Sequence, residues 1–184
     1  QRVRRLVNLE GFGGPATTPD QAPARYAKWL QQLKQYRDGA LDLRGYDGVD
    51  GVARRLAKTN PRLARDQAGR DKADWLARHW ASQNDLGKWQ IMGHAAHKIV
   101  NAQLLRVDEL LEVYKCISMP VLAVEASDDE MWKWWSGSFT RDEYHARLKH
   151  VPDHRIAEVQ DAGHMLHHDQ PEQPARLLEE FLGA

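Results

Sequence analysis

Two short stretches of this chain carry the residue types that move protons near neutral pH. Gly163-His164 follows an apolar run over 154–160 and opens a helix-like tail, so an imidazole stands where an extended segment turns into a helix. Asp128-Asp129 follows a second apolar run, 121–125, in an acidic turn, Ser127-Asp128-Asp129-Glu130. If both runs are neighbouring strands of one sheet, these residues share its carboxyl edge, where open α/β sheets keep their chemistry. A carboxylate there can hydrogen-bond the imidazole, fix its tautomer and stabilise the imidazolium that forms when the ring takes a proton. Residue types alone leave a plainer alternative, in which the aspartates make a solvated turn and His164 caps a helix.

The elements needed to hold these groups are legible in outline. A β-branched run over 3–9 stops at Glu10-Gly11-Phe12-Gly13-Gly14-Pro15 and reads as a buried strand with a glycine-rich exit. From 24 to 36, Tyr26, Trp29, Leu30, Leu33 and Tyr36 recur at three and four, which predicts a one-sided helix. Further helices are expected over 52–57, from Pro61, over 71–82, around His97 and over 107–116, with an irregular piece over 88–91. Thr140 and Glu143 form a capping box for a helix through Leu148. Strands at 3–9, 121–125 and 154–160 separated by helices imply an α/β fold: a parallel sheet with flanking helices and a helical insertion.

Composition excludes several classes. The 184 residues hold 26 basic and 26 acidic side chains, so nothing marks a nucleic-acid surface. The basic run from Arg54 to Lys72 is interrupted by acidic residues and reads as a solvated helical face. No apolar run reaches membrane-span length, and the first residues do not form a signal peptide; the expectation is a cytoplasmic protein. One cysteine, Cys116, rules out an internal disulfide and is expected to be a buried structural thiol. Six of the seven tryptophans, Trp75, Trp80, Trp89, Trp132, Trp134 and Trp135, fall in the middle of the chain, as helical core or as an aromatic cavity.

Rival motifs weigh less. Gly11-Phe12-Gly13-Gly14-Pro15-Ala16 can be written as a dinucleotide fingerprint, but Pro15 and Pro19 deny the prompt helix that should meet a pyrophosphate. His164, His167, His168 and Asp169 are clustered enough to suggest zinc, yet His164 already has another task. No metal and no cofactor are expected.

The tail resembles the C-terminal part of an α/β-hydrolase. The residues that carry the resemblance run from Pro120 through Val121-Leu122-Ala123-Val124-Glu125-Ala126-Ser127-Asp128-Asp129, and from Asp161-Ala162-Gly163-His164 to Glu172. The stretch from Val3 to Gly13 resembles the strand after the nucleophile elbow, and the helical stretch then corresponds to an inserted lid. The resemblance implies core strand and loop over 1–23, a helical lid over 24–116, and C-terminal core strands and helices over 117–184. It implies that His164 is the general base and Asp129 its orienting acid, with Asp128 as the alternative.

The family's Gly-x-Ser-x-Gly is absent: none of Ser82, Ser118, Ser127, Ser136 and Ser138 is flanked by glycines at that spacing. The nucleophile and oxyanion loop are therefore expected in sequence not present here, the missing N-terminal half of the same fold. The parent protein is expected to hydrolyse a small hydrophobic ester, and this segment alone to be inert. Alternatives are an epoxide or haloalkane hydrolase with an Asp nucleophile, and a non-catalytic module binding a hydrophobic ligand.

Overall fold

The three apolar runs are the strands of one parallel sheet. The computed structural model describes residues 2–128 and 130–183, without the side chain of Trp132. In chain order, strand β1 (Leu6–Leu9) is followed by helices α1 (Ala22–Arg37), α2 (Val49–Thr59) and α3 (Gln67–Trp80). Two short strands, β2 (Ala81–Gln83) and β3 (Trp89–Ile91), precede α4 (Val107–Lys115). Then come β4 (Val121–Ala126), α5 (Met131–Trp135) and α6 (Arg141–Leu148). Strand β5 (His154–Val159) and helices α7 (Leu166–Asp169) and α8 (Glu172–Gly183) complete the order.

The chain divides into two compact units, Gln1–Pro19 with Leu105–Ala184, and Asp20–Leu104. In the first, the sheet order is β1-β4-β5, all parallel, with Leu9 opposite Val124 and Ala126 opposite Val159. The middle strand, β4, is buried along its whole length. That explains its unbroken apolar run, because a parallel strand covered on both faces has no solvent side to encode. Val121 and Ala123 face Phe12, Met131, Phe139, Tyr144 and Leu148; Leu122, Val124 and Ala126 face Val159, Leu166 and Phe181. Glu125 is the exception on this strand, a carboxylate only 3% exposed. Half of the expected capping box on α6 is present: Thr140 Oγ1 accepts from the Glu143 N–H at 3.3 Å, while the Glu143 carboxylate pairs with Arg147 instead of returning to Thr140.

The second unit packs α2 against α3 through Val52, Leu56, Leu63, Leu76 and Ala77. Two expectations change here. The helix starting at Pro61 is a single 3-10 turn, Pro61–Ala64, because Asp66 caps a new helix at once, its Oδ1 accepting from the Gly69 N–H at 2.8 Å. The piece at 88–91 is not irregular: β2 and β3 form an antiparallel hairpin, turned by Asn84 Oδ1 and by Gly87 at φ +70°. Three residues per strand are too few to show a period of two.

Trp80 and Trp89 pack on this core, whereas Trp75 is exposed and stacks on His79. In the first unit, Cys116 is exposed rather than buried, because α4 ends at Lys115 and Cys116 is its C-cap. No helix among the described residues is long and apolar enough to cross a membrane.

Candidate active site

Glu10 ends β1. Its N–H donates to Val124 O at 3.0 Å, in line with the β1–β4 ladder, and its backbone then turns left-handed at φ +55°. A non-glycine residue pays about 1–2 kcal/mol for that conformation. The turn carries the side chain over the end of β4, where Glu10 Oε1 accepts from the Ala126 N–H at 2.6 Å. The carboxylate is only 4% exposed. A Cβ at Gly11 would lie 2.1 Å from Asn8 Oδ1, so a larger residue there displaces the Asn8 side chain. Asn8 in turn closes the loop, with Nδ2 donating to Gly11 O at 2.9 Å and to the Tyr144 hydroxyl at 3.3 Å.

His164 arrives from the neighbouring edge. After β5 the chain turns at Asp161, φ +51°, a residue type that tolerates the left-handed region. Two backbone bonds tie the exits of β4 and β5 together: Ser127 N–H to Val159 O at 2.9 Å and Asp128 N–H to Ala162 O at 3.0 Å. Asp169 Oδ2 accepts from the Gly163 N–H at 2.9 Å, and Glu130 Oε2 accepts from the backbone N–H of His164 at 3.5 Å. The imidazole then presents Nδ1 to Glu10 Oε2 at 3.4 Å, and Trp134 meets the ring edge to face at 4.5 Å. With Glu10 ionised, Nδ1 carries the proton and donates, which leaves Nε2 as the free base.

Burial holds the pKa of His164 below its ordinary value, with the Glu130 charge opposing. The ring is nonetheless 41% exposed, so it can reach solvent or a substrate. A carboxylate locking one ring nitrogen of a partly desolvated histidine is an arrangement suited to general base catalysis.

Of the expected site residues, the structure describes His164 and Asp128. His164 stands at the carboxyl edge, as its position in sequence implied. Glu10 sets its carboxylate against the imidazole, and Glu130 sets its own against the backbone N–H of His164. Asp128 is exposed and contributes the backbone bond to Ala162, and Asp129 lies outside the described residues. Asp169 caps the turn before His164, and the side chain of His168 is buried beside His167.

In the sequence Glu10 sits within the glycine-rich exit over 10–15, which reads as a turn. A signal was present: a glutamate directly after an apolar strand, followed by glycine, is a charged group at a sheet edge.

No family model matches this chain, and no curated protein matches it by sequence. Solved structures do match. A hypothetical protein from Pseudomonas aeruginosa is similar over all of this chain and 60% of its own, at 18% identity and a TM-score of 0.71. The thioesterase domain of a curacin biosynthetic pathway is similar over 96% of this chain and 56% of its own, at 17% identity and a TM-score of 0.66. An esterase from Mycobacterium tuberculosis is similar over 99% and 55%, at 17% identity and a TM-score of 0.62. The chain thus spans a little over half the length of the solved chains it resembles.

Proposed function

We propose, from the fact that this chain has the α/β-hydrolase fold over the portion it spans, that it supplies the base and the acid of a carboxylester hydrolase. The observation that carries the proposal is the contact of His164 Nδ1 with Glu10 Oε2 at the carboxyl ends of two parallel strands. In this reading the nucleophile is a serine supplied by sequence outside these residues. His164 Nε2 takes the hydroxyl proton as the serine oxygen attacks the acyl carbon, and returns it to the leaving alkoxide when the tetrahedral intermediate collapses. Glu10 holds Nδ1–H and offsets the charge of the imidazolium. Asp129, the acid implied by the resemblance, is then the control.

The sheet supports the proposed remainder of the fold. Among the described residues β1 pairs with β4 alone, and Leu6 and Leu9, 41% and 38% exposed, sit on that edge strand. Further strands added along it would cover them and bring a nucleophile to the same carboxyl edge. The substrate class follows the same line: a small ester whose apolar part lies against residues such as Trp134. The Asp20–Leu104 unit would serve as the lid.

The test is p-nitrophenyl ester hydrolysis by the intact protein and by His164→Ala. The proposal expects loss of turnover in the variant; equal turnover removes His164 as the base. Labelling of the intact protein by a fluorophosphonate reports a serine nucleophile, and an unlabelled but active enzyme points to a different nucleophile.

A further inference from the structure

The residue that fixes the end of β4 is Arg141, the first residue of α6. Its guanidinium donates from one terminal nitrogen to Ala126 O at 2.9 Å. The other terminal nitrogen lies 3.5 Å from Glu158 Oε2, and Nε lies 3.8 Å from Glu125 Oε2. Glu125 and Glu158 are register partners on β4 and β5. Two carboxylates directly opposite on adjacent strands repel one another, and without a cation between them the strand ends would spread. One turn along α6, His145 Nε2 meets Glu125 Oε1 at 2.7 Å, so the helix grips the strand end at two points.

Ala126 joins this cluster to the candidate active site. Its carbonyl accepts from Arg141, and its N–H donates to Glu10 Oε1 at 2.6 Å. The two bonds flank one α-carbon, so the guanidinium constrains the direction of the amide that clamps Glu10. The other oxygen of Glu10 faces His164 Nδ1. A planar fork that holds a carbonyl and two carboxylates at once is a task for arginine; a lysine ammonium supplies charge without that geometry.

We propose that Arg141 is a positioning residue: through the Ala126 amide it sets the carboxylate of Glu10, and through Glu10 the ring of His164. The inference rests on the reading of Glu10 and His164 as acid and base. It assigns Arg141 a role distinct from neutralising Glu125 and Glu158. A purely neutralising cation would affect stability independently of Glu10, whereas a positioning cation acts only while Glu10 is there to be positioned.

The experiment is a double-mutant cycle in the intact protein, with Arg141→Gln, Glu10→Gln and the pair, read as kcat and KM on a p-nitrophenyl ester. Arg141→Gln is expected to lower kcat about tenfold or more with KM little changed, and to cost almost nothing further in the Glu10→Gln background. Losses that multiply overturn the proposal. Arg141→Lys covers the case in which Arg141→Gln fails to fold: it is expected to fold and still to lose kcat, and full activity in it overturns the proposal.

Failure of the underlying reading has its own signature, a Glu10→Gln variant with unchanged kcat. The imidazole of His164, which Glu10, Glu130 and His167 surround, then decides the matter by its NMR titration. A curve displaced to lower pH in Arg141→Gln as in Glu10→Gln supports positioning, and an unmoved curve in Arg141→Gln overturns it.

Discussion

Glu10 and His164 stand 154 positions apart in the chain, yet Oε2 of one and Nδ1 of the other are 3.4 Å apart. The parallel pairing of β1 with β4 and β4 with β5 brings both strand exits to one edge. The left-handed turn at Glu10 then swings its carboxylate across the end of β4.

Removing the charge of Glu10 while keeping its shape is the first test of that contact. Glu10→Gln should lower kcat by on the order of 10²- to 10⁴-fold, as loss of an orienting carboxylate does in triad enzymes. Asp128→Asn and Asp129→Asn should each cost less than tenfold. Steady-state kinetics on one ester decides among them. A large loss in Asp129→Asn with none in Glu10→Gln would return the acid's role to the turn after β4.

The pH profile carries a second prediction. Only the neutral imidazole accepts a proton, and burial lowers the pKa of His164 from its ordinary 6.5. The plot of kcat/KM should therefore rise with pH through an inflection below 6.5 and stay level above it. Trp134 covers one side of the ring, so Trp134→Ala admits water and should move the inflection up toward the ordinary value. The same lowered pKa means that the unfolded chain binds the proton more readily. His164 therefore withdraws stability from the fold as pH falls below 6.5.

Gly11→Ala tests the loop that carries Glu10. The new Cβ would displace the side chain of Asn8 from its bonds to Gly11 O and the Tyr144 hydroxyl. Two such bonds are worth about 1–3 kcal/mol together. Urea denaturation should show a loss in that range. Combining Gly11→Ala with Asn8→Ala should cost clearly less than the sum of the single losses, because the clash is gone once the amide is removed.

Leu166 lies two residues after His164 and is fully buried with Val124, Val159 and Phe181. Leu166→Ala should cost about 2–5 kcal/mol by the same measurement, the usual range for a leucine truncated in a packed core. A loss below about 1 kcal/mol would mean that this face of the sheet is not packed as described.

What the residue order determined was local. An unbroken apolar run made the central strand β4, because a covered parallel strand has no polar face to alternate with, and the partly exposed edge strands β1 and β5 carry polar side chains as well. The N-cap at Thr140 and the period of three and four over 24–36 marked two of the helices. Gly163-His164 after the last strand placed an imidazole at the carboxyl edge, since a strand exit in a parallel sheet is a carboxyl edge whichever strand it is.

The meeting of Glu10 with His164 needed the tertiary structure. Asp128, Asp129, Glu130, Glu125 and Glu10 all lie at or near strand ends, and nothing in the one-dimensional order ranks them. Three features that no local pattern encodes bring Glu10 to His164: the register of β1 against β4, the left-handed turn at Glu10, and the amide of Ala126 that donates to its carboxylate. A hydrogen bond between residues separated by most of the chain depends on where the sheet carries each of them, and that position is a property of the packed sheet.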